Sequence, residues 1–211
     1  MKKYLAELIG TFCLVFCGTG AITINEVTVG SVTHMGIAIT FGLIVMAMIY
    51  AFGEVSGSHI NPAVTLSLAV GGHFEWRETV PYITSQLTGA LIASLALKVL
   101  FPSSLLLGAT LPANATLQSF ILEIILTFML MLTVLLVSGS KNNQFTGLAV
   151  GGVVLLEAMF AGPICGASMN PARSIAPALV SGHMEHLWIY ICAPVVGALL
   201  ATGICKLLGK R

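Results

Sequence analysis

The sequence predicts an all-α polytopic membrane protein with six transmembrane helices and two re-entrant half-helices, arranged as an inverted three-plus-three repeat. Three observations predict it: a composition too apolar for a water-exposed surface, six apolar runs long enough to cross a bilayer, and a set of motifs that occurs twice in the same order. Of 211 residues, 57% are hydrophobic and 8% charged, and the mean hydropathy is +1.00. A soluble domain carries about 25% charged residues, so lipid is the expected solvent. A net charge of +1 offers no basic field, and no nucleic-acid partner is expected.

Crossing a hydrocarbon layer takes about 20 residues, and six runs qualify, at 4–24, 33–53, 80–101, 116–138, 145–163 and 187–208. Lys2 and Lys3 ahead of the first run resemble a signal peptide. Glu7 interrupts that run and further spans follow, so it is read as a span. Two shorter apolar segments remain, Asn61–Val70 and Asn170–Val180. As helices they extend about 15 Å, half a bilayer. Each opens Asn-Pro-Ala: Asn61, Pro62, Ala63 and Asn170, Pro171, Ala172. Asn caps a helix and Pro suits its first turn, so both are helix starts. Such ends at membrane depth must lie inside protein or line a water-filled cavity.

Basic residues set the orientation. With the N-terminus in the cytoplasm, Lys2, Lys3, Arg77, Lys141, Lys206, Lys210 and Arg211 all fall inside. The outer loops 25–32 and 102–115 hold Glu26 and no Lys or Arg, and Lys98 beside them can snorkel. Both termini are therefore expected in the cytoplasm.

The halves, about 1–105 and 115–211 of a single channel domain, repeat one another. Glu7-x-x-x-Thr11-Phe12 returns as Glu123-x-x-x-Thr127-Phe128. Gly57-x-x-x-Asn61-Pro62-Ala63 returns as Gly166-x-x-x-Asn170-Pro171-Ala172, and Gly89-Ala90 as Gly197-Ala198. Each half has three spans, an odd number, so the second is inverted relative to the first.

In that arrangement the two Asn-Pro-Ala ends meet near the midplane from opposite sides. Each carries about half a positive charge and free N–H groups, which repel cations. The amides of Asn61 and Asn170 are expected to donate to a passing water or hydroxyl. A single such motif would be read as a helix cap alone; two copies at matching places in an inverted repeat imply one shared path. Arg173 lies on the first turn of the second half-helix. It is expected to face the path and donate to solute, the alternative being an ion pair with Glu157. Glu7 and Glu123 are expected to brace the re-entrant loops through backbone bonds. Glu157 has no acidic counterpart in the first half. Bracing of the outer loop, contact with a neighbouring subunit and pH sensing all stay open for it.

His59, two residues before the first motif, is expected in the cytoplasmic vestibule as a hydrogen-bonded loop residue. His34, His73, His183 and His186 lie at span ends. Cys13, Cys17, Cys165, Cys192 and Cys205 show neither CxxC spacing nor a His at metal-ligand spacing. They read as small packing residues, and no metal or cofactor is expected. Gly42, Gly89, Gly151 and Gly197 read as close helix contacts.

The segments Ser56-Gly57-Ser58-His59-Ile60-Asn61-Pro62-Ala63-Val64 and Gly166-Ala167-Ser168-Met169-Asn170-Pro171-Ala172-Arg173-Ser174 closely resemble the paired signatures of the aquaporin (major intrinsic protein) family. The resemblance covers essentially the whole chain. It implies a homotetramer with one pore per subunit. It also implies an outer constriction, whose matching positions here are Phe41, Ala158, Ala167 and Arg173. Phe41 and Arg173 look like the water-channel pattern. Strict water channels carry His where Ala158 stands, and glycerol facilitators carry Asp where Ser174 stands. The run Phe160–Asn170 resembles the nodulin-type branch and its bacterial relatives, which implies water, glycerol-like polyols and boric or arsenous acid as solutes. Glu157 departs from that branch, where an amide is usual. The compact length implies a bacterial inner membrane. Cys165, close to the constriction in sequence, is the expected site of mercurial block.

A strict water channel is the alternative, and a secondary transporter a more distant one, because inverted repeats with broken helices also build transporters. The midplane here holds two Asn amides and no acid, which disfavours ion coupling. An ion channel would need acidic rings or exposed carbonyls. No nucleophile–base pair, metal-ligand spacing or phosphate loop supports an enzyme.

Overall fold

Six long apolar helices and two short ones account for the architecture of the computed structural model, which describes residues 1–209. The long helices are α1 (Lys2–Val27), α2 (Thr33–Ser56), α4 (Trp76–Leu100), α5 (Thr116–Ser138), α6 (Thr146–Cys165) and α8 (Leu187–Leu207). The short ones are α3 (Pro62–Gly71) and α7 (Pro171–Ser181), and a 3-10 turn, Asn143–Phe145, precedes α6. All six long helices are long and apolar enough to cross a membrane, and no strand occurs among the described residues. Lys210 and Arg211, counted in the charge bias above, lie outside the described residues.

The ends differ from expectation by a few residues, for local reasons. α4 starts four residues early because its polar first turn is anchored: Glu78 accepts from Tyr4 Oη at 2.7 Å and pairs with Lys3 Nζ at 2.9 Å. α6 runs on to Cys165, past Pro163. Proline has no N–H to offer the carbonyl four residues back, and that carbonyl, of Met159, is bonded instead by His34 Nε2 from α2 at 2.6 Å.

Small residues set how close the helices come. A Cβ built on Gly89 would overlap the Leu8 carbonyl oxygen and stand 3.1 Å from Phe12 N, so α4 lies directly on α1. Gly197 repeats this on α5, overlapping the Ile124 oxygen and standing 3.0 Å from Phe128 N. Between the halves, a Cβ on Gly42 would lie 2.7 Å from Gly151 O, and one on Gly151 would lie 2.6 Å from Gly42 O. That reciprocity puts the pseudo-two-fold axis between α2 and α6. The larger apolar core fills the space between α1, α2, α5 and α6, and a smaller one joins α3, α5 and α8.

The 101–115 connection folds back over the molecule. Glu26, at the end of α1, accepts from Ser104 Oγ at 2.7 Å and from Leu105 N at 3.0 Å. Leu107 is fully buried, and the next residue, Gly108, is delivered to the second half-helix.

Candidate functional site

Both half-helices start as their sequences demand. The Asn61 side chain accepts from Ala63 N at 2.9 Å, and the Asn170 side chain accepts from Ala172 N at 3.0 Å and Arg173 N at 3.4 Å. Each has Pro in its first turn and ends on a left-handed glycine, Gly72 or Gly182.

The loops feeding these starts are strained in parallel. Gly57, Ser58 and Ile60 have φ of 83°, 48° and 43°; Gly166, Ala167 and Met169 have 84°, 41° and 54°. A left-handed non-glycine residue costs about 1–3 kcal/mol, so something must hold them. Glu7 accepts four bonds: from Ser56 Oγ (2.7 Å), His59 N (2.9 Å), Ile60 N (2.7 Å) and Gln86 Nε2 (2.8 Å). Glu123 accepts from Ser168 N at 2.7 Å and Met169 N at 2.8 Å.

The loops then bond to each other. Asn61 Nδ2 donates to the Met169 carbonyl at 2.8 Å, and Asn170 Nδ2 donates to the Ile60 carbonyl at 2.8 Å. One amide hydrogen of each Asn is thus committed across the axis. Each amide carries two hydrogens, so one on each is left outside the cross-loop bonds.

One cavity, of about 330 Å³, runs along both loops. Its wall includes His59, Asn61, Ala167 and Asn170. Phe41 and Arg173 stand at one end, and Ser138 and Thr146 stand at the other, beside the α5–α6 connection. The His59 ring packs on Phe74 and Tyr82, with centroids at 4.7 and 5.1 Å, and its Nδ1 lies 3.1 Å from Thr65 Oγ1.

Arg173 is 1% exposed. Nη1 donates to the Gly108 carbonyl at 2.8 Å, and the guanidinium lies over the Phe41 ring, 5.0 Å from its centroid. Its Nε makes no hydrogen bond among the described residues. No carboxylate pairs with it there either, so the alternative of an ion pair with Glu157 does not hold. Ala158 packs in the same buried cluster as Phe41 and Ala167. It does not line the cavity, although Val154, one turn earlier on α6, does.

One expectation needs correction. Cys165 is fully buried, its Sγ–H directed to the Ala161 carbonyl, so a mercurial in the cavity cannot reach it; Cys205, on α8, lines the cavity. Of the three roles open for Glu157, bracing of the outer loop does not hold: Glu157 is fully buried, and neither carboxyl oxygen has a hydrogen-bond partner among the described residues.

Other contributors escaped the sequence reading. Gly108 supplies a backbone carbonyl, which no side-chain pattern announces. Ser168 and Ser174 are hydrogen-bonded, and Thr110 Oγ1 donates to Ser174 Oγ at 2.8 Å, tying the 101–115 connection to α7. The matched residues Ile60 and Met169 act through their carbonyls.

Comparison with known proteins agrees with this geometry. The family model described as Major intrinsic protein matches residues 1–204. Aquaporin NIP1-1 of Zea mays is 46% identical over 201 residues, covering 94% of this chain and 71% of that protein. Aquaporin NIP1-4 of Oryza sativa subsp. japonica is 45% identical over 217 residues, covering 100% and 79%. Among solved structures, the aquaglyceroporin from Plasmodium falciparum superposes with a TM-score of 0.89 at 24% identity, covering 100% of this chain and 99% of that one. These relatives support an integral membrane protein, while the plant origin of the two aquaporins runs against the expected bacterial inner membrane. Helices, half-helices and sequence agree, and the chain belongs to the major intrinsic protein, or aquaporin, family of membrane channels.

Proposed function

We propose that the chain is a passive channel for water and small uncharged solutes, glycerol-like polyols and metalloid hydroxides such as arsenous or boric acid, and that it excludes ions and protons. The observation that carries this is the pair of capped half-helix starts, linked through Asn61 and Asn170 on the wall of one continuous cavity. Two positive helix ends at one level repel cations, and the remaining amide hydrogens orient a passing oxygen and break a proton-conducting file; this is the general logic of aquaporin-type pores. Arg173 adds a fixed positive charge at the end marked by Phe41. Ala167 on the cavity wall, and Ala158 packed with it and with Phe41 in one buried cluster, bring only methyl groups to that end, less bulk than an imidazole, which favours solutes larger than water. The name aquaporin carried by the plant relatives fits water as a permeant. Cytoplasmic termini and a homotetramer with one pore per subunit belong to the same reading.

A second reading, a strict water channel, is favoured by the closeness of the Arg173 guanidinium to the Phe41 ring. Stopped-flow light scattering on proteoliposomes separates them. Entry of glycerol and arsenous acid above protein-free vesicles supports the first reading, and water flux alone supports the second. Accumulation of solute against its gradient, or a single-channel current, would overturn both.

A further inference from the structure

The geometry points to Gly18, on α1, as a specificity-determining residue: it sets how far the Phe41 ring stands back from Arg173, and so the width of the constriction. This rests on Phe41 and Arg173 forming the constriction proposed above. Gly18 is buried, and a methyl built on it would overlap Phe41 Cε1 and stand 2.6 Å from both Cδ1 and Cζ. That ring edge therefore lies on the bare backbone of α1. The ring face carries the Arg173 guanidinium, 5.0 Å from the centroid. On the far side of α2, the residue next to Phe41 is already in contact with α6, since a methyl on Gly42 would lie 2.7 Å from Gly151 O. The α2 backbone has nowhere to retreat. Any side chain at position 18 must displace the ring, and the cavity beside Arg173 is the free space open to it.

Gly18 touches no solute in this arrangement. It acts through Phe41, so its signature is a change in selectivity that vanishes when the ring is removed. The experiment compares wild type, Gly18→Ala, Phe41→Leu and the double variant Gly18→Ala/Phe41→Leu in proteoliposomes, with water and glycerol fluxes measured by stopped-flow light scattering. A methyl-scale change in a selective pocket is worth about tenfold or more. Gly18→Ala is expected to lower the glycerol-to-water ratio by about that factor, and the double variant to match Phe41→Leu. An unchanged ratio in Gly18→Ala, or a double variant that stays as impaired as Gly18→Ala, would overturn the inference. If Gly18→Ala is not recovered folded, the comparison of the double variant with Phe41→Leu carries the test: equal fluxes support the inference, and unequal fluxes or loss of the double variant as well overturn it. If wild type passes water alone, the solute range proposed above fails. Gly18 is then judged on water flux, where loss in Gly18→Ala with recovery in the double variant supports its role, and no loss refutes it.

Discussion

Glu123→Gln replaces an oxygen that only accepts with an amide nitrogen that only donates, at the same volume. In the protein, Oε1 of Glu123 faces Ser168 N and Oε2 faces Met169 N, at 2.7 and 2.8 Å. Whichever way the new amide turns, its NH2 group meets a backbone N–H, and one of these two donors is orphaned in a fully buried place. An orphaned buried donor costs about 1–3 kcal/mol. The Met169 backbone, left-handed at φ 54°, loses part of what holds it, so about 2 kcal/mol is the expected total. For a chain of this length that is a fall in midpoint of about 6 °C. The assay is thermal unfolding in detergent, with water flux in proteoliposomes as the functional readout. Because the Met169 carbonyl receives the Asn61 amide, flux is expected to fall with stability. Glu157→Gln is the control: it makes the same chemical change at a buried position where neither oxygen is bonded, and it is expected to leave the midpoint unchanged or raised. Equal midpoint losses in the two variants would refute the reasoning, since burial rather than the two backbone bonds would then govern the cost.

Asn61→Ala and Asn170→Ala each lose a helix cap and one cross-loop bond, an expected cost of about 2 kcal/mol apiece. The two loops share one network, so a double-mutant cycle on thermal unfolding is expected to show less than additive losses; strict additivity would mean the loops are independent. Ala158→His narrows the proposed constriction, and glycerol and arsenous acid fluxes are expected to fall much more than water flux. Equal losses would remove Ala158 from the constriction. Mercurial block, measured by water flux, is expected to persist in Cys165→Ser and to be lost in Cys205→Ser, because Cys205 lies on the cavity wall and Cys165 does not.

Features that repeat local physics were legible in the sequence. Asn-Pro-Ala is a helix start wherever it occurs, and both copies begin a half-helix within a residue of expectation. The repeated Glu-x-x-x-Thr-Phe could be matched to the repeated loops because buried acids need donors, and re-entrant loops have donors to spare. What the sequence hid depends on approaches between distant segments. Gly108 reaches Arg173 because Glu26 pins the preceding turn, a bond across 79 positions. Gly18 matters because of where Phe41 lands, and nothing within α1 marks it apart from other small residues. Cys165 is a related case: closeness in sequence to Ala167 says nothing of which side of α6 faces the lumen, and the thiol turns back toward its own helix.

The crossed bonds, from the Asn61 amide to the Met169 carbonyl and from the Asn170 amide to the Ile60 carbonyl, bear on how the channel assembles. Each half of the chain closes the waist of the other, and neither holds within itself the group that finishes its own loop. A first half inserted alone would leave the Ile60 carbonyl without its acceptor role filled and the Asn61 amide pointing at nothing. The level of the passage at Asn61 and Asn170 is therefore complete only once the inverted halves meet.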